Sequence, residues 1–381
     1  MGKILEINDL KTLAKKRVPK MFYDYVDSGS WTETTYKANE KDFSKIKLRQ
    51  RVGNNIKNRN LKTKILNKTY DLPFGFSPAG MGGMLYPDGE ILVAQVCAEK
   101  NIPYILSTMT ICSLETITRN LKGSFWFQLY VMKDKNFVED IISRAKKAKC
   151  EALVVTMDLP VLGQRHKDLR NGLSSPPKMT AQHLIQILTR PLWCINMLKA
   201  KNKTFGNIMG HAKGVKDLSS IVSWTNSQFD QELSWDYIDW IKKMWHGPII
   251  IKGILDPEDA EIAKKKNIKG IIVSNHGGRQ LDGTLSSITA LKKIIDTVGT
   301  DLDIFFDGGI RSGQDIIKAI SIGANGAFFG RPYLYGLAAL GKKGVELVVD
   351  ILEKEIDLTL ALCGENNISN LNRNNLFNYE N

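Results

Sequence analysis

The chain has 381 residues, 43% of them hydrophobic and 24% charged, with 53 basic side chains against 40 acidic ones and a net charge of +13. That size accommodates one large α/β domain or two smaller ones with a sizeable core, and the composition excludes a disordered or fibrous chain. No apolar run reaches the roughly 18 residues that cross a bilayer, the N-terminus lacks a signal-peptide pattern, and the odd, scattered cysteines argue for reduced thiols rather than disulfides or zinc.

The positive charge attracts anions, whether membrane phosphates, nucleic acid or acidic substrates. Much of the lysine travels with asparagine and isoleucine, so charge alone selects no partner. In chain order, residues 8–29 read as two short helices: Leu10, Leu13 and Ala14 share a face, Pro19 opens a second helix, and Gly29 stops it. The second helix carries Tyr23 and Tyr25, to which pattern alone assigns no role. Residues 31–70 are polar and basic with weak periodicity. From Pro73 onward short apolar runs recur: Phe74–Met81, Tyr104–Thr108, Trp126–Tyr130, Ala152–Asp158, Pro248–Gly253, Gly270–His276, Asp303–Gly309 and Gly326–Arg331. Most lead into helical spacing behind a start residue, namely Asp88, Ser113, Asp134, Asp256 with Pro257, and Ser312. Eight strand–helix repeats predict a (β/α)8 TIM barrel over about 73–365, within one domain spanning 1–381. An open doubly wound sheet is the rival, without a G-x-G-x-x-G turn to support it.

One interval breaks the rhythm: about ninety residues separate the fourth and fifth runs, an insertion placed at about 169–235. From Leu169 to Lys216 it holds no acidic residue, but it does hold Arg170, Lys178, Arg190, Lys199, Lys201, Lys203, Lys213 and Lys216. Among them lies an apolar segment with His183, Leu184, Ile185, Leu188, Leu192, Trp193, Ile195 and Leu198. Basic residues around Trp and Leu resemble an interfacial membrane segment, against the plainer alternative of a surface lid. The asparagine-rich tail from Gly364 is expected to fray.

In a barrel the carboxyl ends of all eight strands share one mouth. Here they carry Ser77 to Gly80, Ser107, Gln128 and Tyr130, Thr156 and Asp158 followed by Arg165, Lys252, Ser274 to Arg279, Asp307 to Arg311, and Gly330 with Arg331. Glycine turns plus arginines at the last two ends suit a phosphate. Arg165 and Arg279 could clamp a small carboxylate, His276 could act as a base oriented by Asp158, and Asp282 adds to the cluster. No metal-ligand set is seen.

The stretches SNHGGRQLDG, FQLY, VTMDLPVLGQR, IIIKGILDPEDA, FDGGIRSGQD and FFGRP resemble the FMN-dependent L-2-hydroxy-acid dehydrogenase/oxidase family, over nearly the whole chain and most closely its respiratory L-lactate-oxidising branch. The resemblance implies FMN as cofactor and His276 as the base, taking the Cα or the hydroxyl proton, with Asp158 as its partner. Arg279 and Tyr25 would bind the substrate carboxylate, supported by Arg165, and Tyr130 the hydroxyl. Ala79, Gly80, Ser107, Gln128, Thr156 and Ser274 would line the flavin, with Lys252 near its N1–C2 edge. Asp307, Gly308, Gly309, Arg311, Gly330 and Arg331 would hold the ribityl chain and phosphate. Two departures stand out. Pro78-Ala79-Gly80 replaces the Pro-Thr-Ala of some relatives, and Met109 replaces the tryptophan of glycolate oxidases, leaving room for a methyl-bearing acid. With no haem segment ahead of the barrel, electrons are expected to pass to a separate respiratory acceptor. The expected enzyme is an L-lactate dehydrogenase, peripheral on the cytoplasmic face of the inner membrane and bound to an anionic surface. It would be a homo-oligomer without a nucleic-acid partner. The alternatives are an oxidase using O2 and a dehydrogenase for a larger acid such as mandelate.

Overall fold

A computed structural model describes residues 3–172 and 180–377, which leaves Lys178 of the basic insertion outside the described residues. Eight short strands carry the architecture: β1 (Phe74–Phe76), β2 (Ile105–Ser107), β3 (Trp126–Tyr130), β4 (Leu153–Thr156), β5 (Ile249–Ile254), β6 (Gly270–Val273), β7 (Asp303–Asp307) and β8 (Gly326–Phe329). They are parallel and neighbour one another in chain order, with β1 pairing with β8. The remaining seam closes where Phe76 bridges Tyr104 and its N–H bonds to the Pro103 carbonyl at 2.9 Å. The fold is a (β/α)8 barrel, and each predicted apolar run contains one strand. Runs such as Ile249–Ile251 are buried on both faces, which is why they read as continuous rather than alternating.

The floor of the barrel is packed solid. Side chains of Ile105, Trp126, Ala152, Val154, Ile250, Ile272, Phe305 and Phe328 fill its interior, joined from below by Ile65 and Tyr70. Those last two come from a hairpin, Thr63–Ile65 with Lys68–Tyr70, in a region where weak periodicity had predicted no element. Glu151 ties the hairpin to the barrel, accepting from Tyr70 Oη at 2.8 Å and Trp126 Nε1 at 3.2 Å. With that end filled, a ligand has to enter at the carboxyl ends of the strands.

Most predicted helix starts hold. Ser113, Asp134, Asp256 and Ser312 each accept a hydrogen bond from the first turn of the helix that follows. Asp88 does not. It sits in the left-handed region at φ 52° and accepts from the N–H groups of Lys201 and Asn202, fastening the insertion instead. The second N-terminal helix ends at Val26, short of Gly29. The region from 31 to 70 also contains a helix, Thr34–Lys41, which packs over the barrel mouth through Asn39. From Gly364 to Phe377 the tail is held by packing rather than frayed: Ile368, Leu371 and Leu376 are buried, and Leu376–Phe377 pairs antiparallel with Lys47–Leu48; residues 378–381 lie outside the described residues.

The insertion carries the short helices His166–Arg170, Ala181–Leu188, Pro191–Leu198 and Leu218–Gln228. Trp193 anchors it, its ring 5.5 Å from that of Phe22 and its Nε1 bonded to the Met84 carbonyl. Leu184, Ile185, Leu188, Leu192, Ile195 and Leu198 are each more than half exposed. Among the described residues no helix is long and apolar enough to cross a membrane.

Candidate active site

Strand β6 ends at Val273, and the chain then turns through consecutive left-handed residues, with φ of 57° at His276, 65° at Gly277 and 72° at Gly278. A side chain at Gly278 would come within 2.6 Å of the Tyr36 backbone, so the turn needs glycine there. The His276 N–H bonds to Ser274 Oγ at 3.1 Å, which holds the strained residue in place. The turn swings the imidazole against Asp158 at the end of β4, with Nδ1 2.9 Å from Oδ1. A carboxylate on Nδ1 keeps the proton on that nitrogen and leaves Nε2 as the basic atom, 3.4 Å from the Tyr130 hydroxyl. Burial draws the His276 pKa below the usual histidine value; Asp158 pushes it back, while Lys252 and Arg165 reinforce the fall. Burial alone would raise the Asp158 carboxyl, but His276 and Lys252 outweigh it and hold the group ionised below the usual range. Burial and the Asp158 charge raise Tyr130 well above an ordinary phenol, so it remains a donor.

Next to this pair lie two guanidinium groups. Arg279 donates through Nη1 to the Tyr25 carbonyl and Ser28 Oγ, and through Nη2 to Asp168 Oδ2 at 3.2 Å. Its plane lies over the Tyr25 ring, 4.7 Å from the centroid. Those contacts consume three of the five N–H bonds, leaving Nε–H and one hydrogen on Nη2 for a ligand carboxylate. Arg165 bonds to the Arg279 carbonyl through Nε and adds a second positive charge. Asp168 is the only carboxylate recorded as paired with Arg279 among the described residues. Burial raises its pKa against the pull of Arg279 and Arg165.

The opposite side of the mouth is built from β5, β7 and β8. Lys252 bonds to Ser274 Oγ at 2.8 Å and Asp307 Oδ2 at 3.0 Å, and Asp307 also accepts from Ser77 Oγ. Gly309, at φ 81°, runs so close to Asn39 that a Cβ would lie 1.9 Å from its carbonyl oxygen. Gly330 precedes the helix Arg331–Leu340, whose first-turn N–H groups favour an anion. Arg331 donates to the carbonyls of Val26, Ser28 and Gly277, and Arg311 pairs with Glu40 at 2.7 Å. Ala79 and Gly80 approach the loop after β2, where a Cβ at Gly80 would meet the Met109 carbonyl at 2.7 Å.

These groups surround one cavity of about 900 Å³. Of the residues expected at the site, Tyr25, Ala79, Gly80, Ser107, Tyr130, Thr156, Arg165, Lys252, His276, Arg279, Asp307, Gly308, Gly309, Arg311, Gly330 and Arg331 line it. Asp158 lies behind His276, Gln128 behind Ser107, and Ser274 behind Lys252. Gln128 Nε2 and Thr156 Oγ1 are buried with no partner within the protein, which marks them as donors for a polar ring edge. Together with the anion-favouring helix start and two arginines, this donor set fits a flavin mononucleotide.

Sequence reasoning missed Asp168 and the insertion residues Phe205, Ile221, Thr225 and Phe229, all of which line the cavity. The length of the insertion at about 169–235 was the only signal for the latter. Asp282 is a correction in the other direction. Burial pushes its pKa up, but its carboxylate accepts from Thr32 and Thr35 at the start of helix Thr34–Lys41, and together these bonds bring the pKa down to about 2. It does not line the cavity.

A family model described as FMN-dependent dehydrogenase matches residues 14–378. The L-lactate dehydrogenase of Acinetobacter baylyi is 40% identical over 366 residues, covering 96% of this chain and 95% of the relative. That of Pseudomonas syringae pv. syringae is 40% identical over 369 residues, covering 97% of each. Among solved structures, the monotopic membrane protein (S)-mandelate dehydrogenase superposes with a TM-score of 0.94 at 31% identity, over 99% of this chain and 100% of the other. A mandelate oxidase with (S)-2-phenylpropionate gives 0.82 at 29% identity, over 98% of each chain.

Proposed function

The chain belongs to the FMN-dependent dehydrogenase family, and from that premise we propose that it oxidises L-lactate to pyruvate and passes the electrons to the respiratory chain. The observation that carries this reading is the His276–Asp158 pair facing the free edge of Arg279 across one cavity. Arg279 takes the substrate carboxylate on its Nε/Nη2 edge, with Arg165 and Tyr25 beside it. Tyr130 bonds to the 2-hydroxyl. His276 Nε2 removes a proton from the substrate, and Asp158 stabilises the imidazolium that forms. When bound, FMN would supply the acceptor for the two electrons and the second hydrogen that leave the substrate. Lys252 contributes positive charge beside it, and Arg311, Arg331 and the helix start at Gly330 hold the phosphate.

Anaerobic mixing with L-lactate tests the proposal: the yellow protein bleaches, and His276→Gln stays yellow and unbleached on the same timescale, its kcat lower by several orders of magnitude. Fast bleaching of that variant would remove the assignment. A second reading, a larger acid such as mandelate, is favoured by the cavity's apolar wall of Phe205, Ile221 and Phe229. A panel of 2-hydroxy acids scored by bleaching rate decides between them, and stoichiometric peroxide in air would mark an O2-using oxidase.

The exposed leucine and isoleucine face of helices Ala181–Leu188 and Pro191–Leu198, bordered by Arg190, Lys199 and Lys201, supports peripheral attachment to an anionic membrane surface, and in the proposed role that surface is the cytoplasmic face of the inner membrane. Self-association is read by sedimentation of the FMN-loaded protein.

A further inference from the structure

One residue of the histidine turn has no part in the chemistry above. Gln280 follows Arg279 with its side chain directed away from the reacting groups, into the loop after β4 that carries Asp158 and Arg165. Its Nε2 donates to the Asp158 carbonyl and the Val161 carbonyl, both at 2.8 Å. Its Oε1 accepts from the Gly163 N–H at 3.1 Å and from Arg165 Nη2 at 3.4 Å. Two donors and two lone pairs are the full capacity of a primary amide, and all four are used. The amide has only one workable orientation, because reversing it would set its oxygen against two carbonyls. The backbone is engaged too: Ser30 Oγ donates to the Gln280 carbonyl at 2.6 Å. The two loops touch so closely that a Cβ on Gly163 would lie 2.6 Å from the Arg279 carbonyl oxygen.

We propose, resting on the reading above, that Gln280 is a positioning residue. By its four hydrogen bonds it locks the loop after β4 to the loop after β6, and so sets both the Asp158–His276 bond and the spacing of Arg165 from Arg279. The two halves of the amide serve different groups. The NH2 half fixes the backbone of Asp158, hence the partner of the base; the oxygen half fixes Arg165, hence the carboxylate clamp. Neither a carboxylate nor an apolar side chain of the same length can do both.

That division yields a test in two variants, run after the FMN-loaded wild type has been shown to bleach with L-lactate, so that failure of the activity itself is recognised first. Gln280→Glu keeps two acceptors for Gly163 and Arg165 but loses both donors. Its kcat should fall at least tenfold with KM within about threefold of wild type. Gln280→Met removes all four bonds at nearly constant volume, and both kcat and KM should worsen. The pH profile supplies a readout that a purely structural loss would not move. His276 faces Asp158, Lys252, Arg165 and the Tyr130 hydroxyl, and of these Asp158 is the group that raises its pKa. Loosening that contact in Gln280→Met lets the His276 pKa fall further, so the acid limb of kcat/KM moves to lower pH. Independently of turnover, hydrogen exchange at the Gly163 amide should speed up at least tenfold in Gln280→Met. A Met variant with wild-type exchange, or one within twofold of wild type in kcat and KM, overturns the proposal. So does a loss that tracks loss of FMN with an unmoved pH profile. If Gln280→Met fails to retain FMN, the kcat-against-KM split in Gln280→Glu decides, and an unchanged kcat there overturns it.

Discussion

At the scale of single residues, the chemistry depends on where one imidazole keeps its protons. In the proposed reaction His276 must be unprotonated at Nε2 to accept a proton, and its buried setting lowers its pKa despite the opposing pull of Asp158. The sign follows: kcat/KM rises with pH through the His276 pKa, so the rising limb should lie below about 6.5, where an unperturbed histidine would place it. Asp158→Asn removes the raising partner and should carry the limb lower still. A wild-type limb above about 6.5 in a kcat/KM profile would contradict the burial argument. His276 and Arg279 were legible in the sequence because both follow a run of buried β-branched residues, where polar groups have no structural reason to crowd. Asp168 was not. One acidic residue in the short helix His166–Arg170 looks like an ordinary surface partner for its neighbours, and only folding brings it to Arg279, more than a hundred positions away.

At the scale of elements, the strands were readable because each is a continuous apolar run, and the helices because Ser and Asp start residues precede them. Ser312 illustrates how such a start serves the site. Its hydroxyl caps the Asp315 N–H at 3.3 Å, while Asp315 reaches back to the N–H groups of both Ser312 and Arg311. Removing the cap with Ser312→Ala should cost about 1 kcal/mol. In thermal unfolding of the FMN-loaded protein that is a fall in Tm of about 2 °C. No change would mean that Asp315 alone sets the turn. The hairpin at 63–70 and the pairing of Lys47–Leu48 with Leu376–Phe377 were illegible for a physical reason. Strands of two or three residues carry too few side chains to show a period, and the partner of Lys47–Leu48 lies more than three hundred positions along the chain. Asp88 does precede a helix, Gly89–Glu99, but what its side chain bonds was illegible, since it answers a segment that the local pattern does not contain.

At the scale of the whole molecule, the insertion gives the barrel a second character. Leu188 and Leu198 are 75% and 81% exposed, at the ends of two short helices in a segment free of acidic residues. Burying both leucines in a lipid interface contributes about 3 kcal/mol or more, so Leu188→Glu with Leu198→Glu should weaken binding to anionic vesicles by about two orders of magnitude. Sedimentation with vesicles at low salt checks this, and undiminished binding would assign attachment to another surface. The acid-free composition was visible in the sequence. Which leucines face outward was not, because it depends on Trp193 docking against Phe22.

The plugged floor has a kinetic corollary. Among the described residues, Trp126, Phe305 and the hairpin's Ile65 fill one end of the barrel. In the proposed reaction, fuel and oxidant would then use one doorway in turn, the keto acid departing before the electron carrier arrives. Varying both in steady state should give parallel rather than intersecting double-reciprocal lines.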